Sequence, residues 1–263
     1  MTEDELARLA LRVNQANIAM GAESFHAEGA LFYRDLRYPA VRDANHVTGV
    51  AASSPDEIDA LFARAEREYA GVPHRRYDCD FTTPPAFEAR LALEGYERSY
   101  ALLMLLEGEL DARPRPDIEV RPIENEAGWA AFFALRALDW GEYRDRLAQA
   151  GETDVGTAMA ERDRASSPPF RYFLAYADGA PRAYFSAWHG IDGVGQVENL
   201  FTHPDYRRRG LATALIARCV DDCRERGAGP VLIVADPTDT PMRMYAAMGF
   251  RPLALKREWR RDA

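Results

Sequence analysis

Three arginines, a glycine and two small residues sit in the run Arg207-Arg208-Arg209-Gly210-Leu211-Ala212-Thr213, between an apolar strand pattern and an amphipathic helix pattern. The N-terminus of a helix exposes unpaired N–H groups and about half a positive charge. Gly210 lets backbone approach a ligand closely, and Ala212 and Thr213 keep the first turn small. The arginines add fixed charge and forked donors. In this order these residue types make a site for a di- or triphosphate. No Gly-Lys-Ser/Thr follows and the glycines are not spaced for a dinucleotide turn, so neither common phosphate loop is present. A charge run is otherwise a solvated face, but its seat between strand and helix favours the phosphate reading.

Two further residues carry potential proton chemistry. Glu198 lies on the strand leading into the loop, where alternation groups Gln196, Glu198, Leu200 and Thr202 on one face and Val197, Asn199 and Phe201 on the other. A carboxylate there is either a general base or a strand residue bonded to a neighbour. Tyr245 precedes Gly249-Phe250, and is a general-acid candidate or an interface tyrosine. Asp236 and Asp239 fit helix capping better than catalysis. The five histidines show no metal-ligand spacing, so no metal is expected. Cys219 and Cys223 fall four apart on an apolar stripe with Leu215 and Ile216, as core thiols do.

The elements that must position these groups follow from pattern. Ile118 to Arg121 alternates as a strand, and Asn125 to Trp140 is spaced as a helix. A polar region runs on to Ser166-Ser167-Pro168-Pro169. Tyr172 to Ala177 and Arg182 to Trp188 read as a hairpin turning at Asp178-Gly179. Gln196 to Thr202 is a third strand, Leu211 to Arg226 a helix, Val231 to Ala235 a buried strand, Pro241 to Met248 a short helix, and Phe250 to Trp259 a final strand pair.

Earlier in the chain the order echoes faintly. Ser54 to Tyr69 reads as a helix, Arg76 to Cys79 as a strand, Pro85 to Leu93 as a helix and Tyr100 to Leu106 as a strand. Placing Gly95 on Gly249, 154 residues apart, aligns short helix, Gly-aromatic and strand in both halves. Between them, residues 111–117 hold two prolines and four charges, a linker composition. The expected organisation is therefore residues 1–110, a linker at 111–117, and residues 118–263.

A chain of 263 residues with 47% hydrophobic and 29% charged residues folds as a globular protein. No apolar run approaches the roughly 20 residues of a membrane span. The acidic start at Thr2-Glu3-Asp4-Glu5 is unlike a secretory signal, which points to the cytoplasm. Three cysteines make no disulfide framework. A net charge of -9 argues against nucleic-acid partners and favours amine-bearing, cationic ones.

The second half resembles the GNAT-type N-acetyltransferases over about residues 117–259. Arg207, Gly210 and Ala212 match that family's Arg/Gln-x-x-Gly-x-Gly/Ala signature, and Thr202 to Tyr206 match the preceding Val/Thr-His-Pro-x-Tyr pattern. Tyr245, Gly249 and Phe250 match its Tyr-x-x-x-Gly-Phe segment. The resemblance implies acetyl-CoA bound between two splayed central strands. Backbone of Leu200, Phe201 and Thr202 would pair with the pantetheine arm, and the amides of Arg208 to Thr213 would hold the pyrophosphate, with Arg207 and Arg209 beside them. Tyr245 would protonate the departing thiolate. Thr238 stands where many members carry a coenzyme-binding Asn, and Trp140 and Tyr143 follow the helix that shapes the acceptor pocket. The fold implied is α+β: two tandem GNAT-like domains, each a mixed, largely antiparallel sheet flanked by helices. The first would lack a coenzyme site, because Ser54-Pro55-Asp56-Glu57 replaces the arginine loop and Leu91 replaces Tyr245. The function expected is acetyl transfer from acetyl-CoA to a primary amine; the other class open is a non-catalytic acyl-CoA-binding or sensor module.

Overall fold

The computed structural model describes residues 2–147 and 155–262. In the first half, α1 (Glu3–Ile18), β1 (Glu23–Ala27), β2 (Ala30–Arg34) and β3 (His46–Thr48) precede α2 (Pro55–Glu68), β4 (His74–Cys79), α3 (Pro85–Leu93) and β5 (Glu97–Leu106). The second half runs β6 (Glu119–Pro122), α4 (Glu126–Leu147), α5 (Val155–Ala165), β7 (Arg171–Ala177), β8 (Ala180–Ile191), β9 (Val194–Thr202), α6 (Leu211–Glu225), β10 (Val231–Ala235), α7 (Thr240–Ala247) and β11 (Arg251–Asp262).

The strands form one sheet in the order β1-β2-β3-β4-β11-β5-β10-β9-β8-β7-β6. Neighbours are antiparallel except at β3·β4 and β9·β10, the corresponding places of the two halves. The centre of the sheet is exchanged. β11 of the second half lies between β4 and β5, and β5 of the first half lies between β11 and β10. Arg257 faces Cys79 in one junction and Ile233 faces Met104 in the other. These registers interconvert, within one residue, under the 154-residue offset of Gly95 and Gly249. Both helices before those glycines end alike: Tyr96 N–H donates to Leu91 O at 3.1 Å, and Phe250 N–H donates to Tyr245 O at 3.1 Å. Gly95 (φ +77°) and Gly249 (φ +97°) supply the left-handed residue that such an ending requires.

β5 is buried on both faces, as its apolar run Leu102 to Leu106 demands. Met104 belongs to a core under α6 and α7 with Val197, Leu215, Ile216, Cys219 and Cys223. Leu103 and Leu105 belong to the opposite core, under α1 and α4, with Val13, Phe132, Tyr184 and Leu232. A third core, with Phe32, Leu61, Tyr77, Phe87 and Trp259, packs α2 and α3 on the first half. Each fully buried large apolar side chain contributes about 1.5–3 kcal/mol, so all three layers matter to stability. The three cysteines are free and buried. No helix among the described residues is long and apolar enough to cross a membrane.

Three sequence expectations need correction. Residues 250–259 are not a strand pair but part of the single strand β11, which bends at a register shift between Pro252 and Ala254 and so imitates a turn. The polar region after Trp140 contains α5, and its residues 148–154 lie outside the described residues. The unbroken alternation assumed along β9 also fails, for the reason given next.

Candidate active site

β9 pairs with β10 only at Gly195↔Val231, Gln196↔Leu232 and Val197↔Ile233. Both strands continue, to Thr202 and Ala235, but no further pairs form, so the sheet opens between them. A bulge drives the opening. Against β8 the register is Ser186↔Glu198 and then Tyr184↔Phe201, leaving one extra residue on β9. Asn199 absorbs it in the left-handed region at φ +64°. After the bulge the faces invert. Phe201 joins the α1 and α4 core, and Leu200 joins Val197 on the α6 side. Glu198 and Leu200 therefore do not share a face. The backbone of residues 200–202 is held by β8 on one side and faces the opening on the other.

Beyond β9, His203 Nδ1 accepts from Asp205 N–H at 3.3 Å and closes the short turn Pro204–Tyr206. Arg207 Nε donates to Thr202 O at 3.1 Å, and the same guanidinium pairs with Glu142 of α4. Arg207 thus fixes the loop to strand and helix. Arg209 and Arg182 lie over the Tyr206 ring, 4.7 and 4.5 Å from its centroid. Arg208 adopts φ +60°, and Gly210, at φ +93°, is the N-cap of α6. Glycine has no side chain with which to cap the helix, so the N–H groups of Leu211, Ala212 and Thr213 are left for a ligand. A Cβ on Gly210 would come within 3.2 Å of both Arg115 and Ile118 from the segment joining the halves.

The matching helix of the first half is closed. Ser54 Oγ accepts from Glu57 N–H at 3.4 Å, while Glu57 Oε2 accepts from the N–H groups of Ser54 and Ser53, each at 2.9 Å. Those backbone bonds hold the Glu57 carboxyl down at about 2. A fixed anion therefore covers that helix end.

Two ionisable groups of the second half have strongly raised pKa values. Tyr245 of α7 is 5% exposed and packs against Phe250. Burial, reinforced by the charges of Glu198 and Asp239, raises its pKa well above the ordinary tyrosine value. Glu198 lines a cavity of about 170 Å3 on the α1 side of the sheet. Burial pushes its carboxyl up to about 7, against the hydrogen bond that Gln196 Nε2 donates at 2.8 Å. An acid that keeps its proton and a base poised near neutrality are what acyl transfer to an amine needs.

The remaining expected positions are less direct. Thr238 donates its hydroxyl to Asp236 at 2.6 Å, and Asp239 caps α7, as expected of helix-capping aspartates. Trp140 and Tyr143 stack on each other with centroids 5.2 Å apart, and Trp140 also lies against Gly156 of α5. Neither lines the cavity.

The model of the acetyltransferase (GNAT) family matches residues 132–250. Over that stretch the chain is similar to the GNAT family. A mycothiol acetyltransferase from Clavibacter sepedonicus is 29% identical over 189 residues, spanning 67% of this chain and 59% of that protein. The chain thus spans about three fifths of the length of the curated relatives it matches. A GCN5-related N-acetyltransferase from Kribbella flavida aligns with TM-score 0.70 at 19% identity, over 96% of this chain and 94% of that one. A tandem GNAT protein from the clavulanic acid biosynthesis pathway aligns with TM-score 0.58 at 14% identity, over 98% and 95%. At such identities the likeness is one of fold, and it extends over both halves: tandem GNAT-like domains of α+β type.

Sequence reasoning missed what the first half brings to the GNAT opening. Asn14 and Asn17 of α1, Asp43, and Arg76 of β4 line the same cavity as Glu198. No spacing in the sequence links them to it, since the strand exchange brings them there. Among the described residues, no cluster of three or more His, Cys, Asp or Glu could hold a metal.

Proposed function

We propose that this chain is an acetyl-CoA-dependent N-acetyltransferase acting on a primary amine, with residues 118–263 catalytic and residues 1–110 lacking a coenzyme site. One observation carries the reading: the opening between β9 and β10 leads into an uncapped helix N-terminus, and Glu198, with its carboxyl near neutrality, lies on the strand that opens.

The residues present fit the coenzyme. The free amides of residues 211–213, with Arg208 and Arg209 nearby, suit a pyrophosphate, and Gly210 presents no side chain to obstruct it. Backbone of Leu200 to Thr202, unpaired with β10 and engaged on that side at the Thr202 carbonyl by Arg207, suits the amide-bearing pantetheine arm, as an added strand would. Acetyl-CoA supplies the acetyl group as a thioester. Glu198, ionised, takes the proton that an amine carries at neutral pH and leaves its lone pair free to attack the carbonyl carbon. The new C–N bond forms as the C–S bond breaks. Tyr245 donates its proton to the leaving sulfur, so that free thiol departs, and the proton lost from the acylated nitrogen restores the phenol.

Recording thiol release from acetyl-CoA with a panel of amines tests the proposal. Amine-dependent release supports it; saturable coenzyme binding with no amine-dependent release would assign the chain to the non-catalytic acyl-CoA-binding class.

A further inference from the structure

The cavity that holds Glu198 is closed by α1 from one side and by α5 from another, and its walls are strongly polar. Four cations line it: Arg76, Arg136, Arg162 and Lys256. Each already makes an ion pair or hydrogen bond, although Arg136 Nε and Arg162 Nε are buried without a hydrogen-bond partner. Arg76 contacts Asp43 at 2.6 Å and Asp78 at 2.7 Å, and Lys256 contacts Asp78 at 3.0 Å and Glu258 at 2.9 Å. Arg136 pairs with Asp139 at 2.9 Å, and Arg162 donates to the carbonyls of Ile18 and Met20. An acceptor carrying a carboxylate or phosphate would have to compete with the carboxylates already paired to Arg76 and Lys256.

Asn14 and Asn17 are different. They are 2% and 6% exposed, yet Asn14 Oδ1 and Asn17 Nδ2 have no hydrogen-bond partner. Buried polar atoms are almost always paired, so two orphans on one wall point to a missing partner. The residues are three apart on α1, which turns both to the same side. One orphan is an acceptor and the other a donor, and both are neutral. A hydroxyl, which donates and accepts, satisfies such a pair. Asp163 Oδ2 on α5 makes no hydrogen bond but lies 3.3 Å from Arg136 Nε as an ion pair. The cavity, about 170 Å3, is below the roughly 300–1,000 Å3 of pockets for drug-sized ligands, which favours a small acceptor.

We infer that Asn14 and Asn17 are the acceptor-recognition residues, and that the acceptor is a small primary amine bearing hydroxyl groups. Its amine meets Glu198 and its hydroxyls meet α1. The first half thereby serves the second half's reaction as the wall of its acceptor site. The inference rests on the N-acetyltransferase reading above.

The test uses the full chain with acetyl-CoA and follows thiol release with ethylamine, ethanolamine, serinol, glucosamine, spermidine, glycine and a lysine-containing peptide. The expected result is a KM at least tenfold lower for the best hydroxylated amine than for ethylamine, spermidine, glycine or the peptide. Asn14→Ala and Asn17→Ala then raise KM for that amine at least tenfold, while KM for ethylamine and the acetyl-CoA Kd stay within about twofold. Asn17→Ser, which keeps a neutral donor, recovers part of the loss and serves also if an alanine variant does not fold. Because the orphan amides stabilise nothing in the free protein, Tm of the alanine variants is equal or higher; a purely structural pair would lower it. Preference for spermidine, glycine or the peptide overturns the inference, as does an equal KM change for ethylamine. Coenzyme binding without transfer to any hydroxylated amine also overturns it. Failure of acetyl-CoA to bind at all would instead overturn the reading beneath it.

Discussion

The Glu198 carboxylate adds its charge to burial in raising the pKa of the Tyr245 phenol, so the two groups share one electrostatic environment. Their perturbations run in complementary directions for transfer chemistry. The phenol keeps its proton until it is needed, and the carboxyl, at about 7, is divided between its two forms near neutrality.

Glu198→Gln is expected to lower kcat by about 10²–10⁴, the usual contribution of a general base. Below about 7 the native carboxyl holds its proton and cannot accept another, so activity should rise with pH through about 7 and then level. The variant should lose that limb while its acetyl-CoA Kd is retained. Folding gives a second readout. The folded-state pKa is raised above the ordinary 4.5, so the folded chain binds the proton more tightly than the unfolded chain. This group's contribution to stability therefore falls as pH rises from about 4.5 to about 7, and thermal melts of the Gln variant should lack that component.

Tyr245→Phe should reduce kcat and leave coenzyme affinity within a few-fold. The ring stays packed against Phe250 and only the hydroxyl is lost. Full activity across the pH range would remove Tyr245 from proton transfer.

Gly210→Asp combined with Arg208→Ala should weaken acetyl-CoA binding at least tenfold by calorimetry. Gly210 holds φ +93°, a conformation side chains rarely adopt, and the new side chain would crowd Arg115 and Ile118 and add negative charge at the helix end proposed to hold the phosphates. Each charge-assisted hydrogen bond to phosphate is worth roughly 1.5–3 kcal/mol, so losing one alone accounts for the factor. Unchanged affinity in a folded variant would refute the loop assignment.

One acetyl-CoA should bind per chain. In the first half Glu57 already occupies the helix N-terminus, and Leu91, fully buried, stands in the place of Tyr245. A second saturable site that survives the Gly210 variant would contradict this.

How far the sequence reveals this architecture depends on the range of the interactions involved. Pro85 to Leu93 and Val231 to Ala235 are read to the residue, because proline, glycine and apolar runs mark their ends. The arginine loop, Gly210, Glu198 and Tyr245 are equally readable, since their chemistry is compact in sequence. The left-handed Asn199 is not: an extra residue in a strand leaves strict alternation on paper and inverts it in space. α1 and β1 to β3 escape notice as well. β3 spans three residues, and α1 earns its place by long-range packing on β9, β11 and β8. Asn14 and Asn17 read as ordinary helix polars until the cavity is seen around them.

The traded centre of the sheet binds the two copies of this repeat into one unit of inheritance. Residues 118–263 alone would carry β10 and β11 with a gap where Leu103, Met104 and Leu105 belong, all fully buried in the intact chain. Residues 1–110 alone would lack the strand that joins β4 to β5. Deleting either copy therefore ruins the other, whichever of them does chemistry.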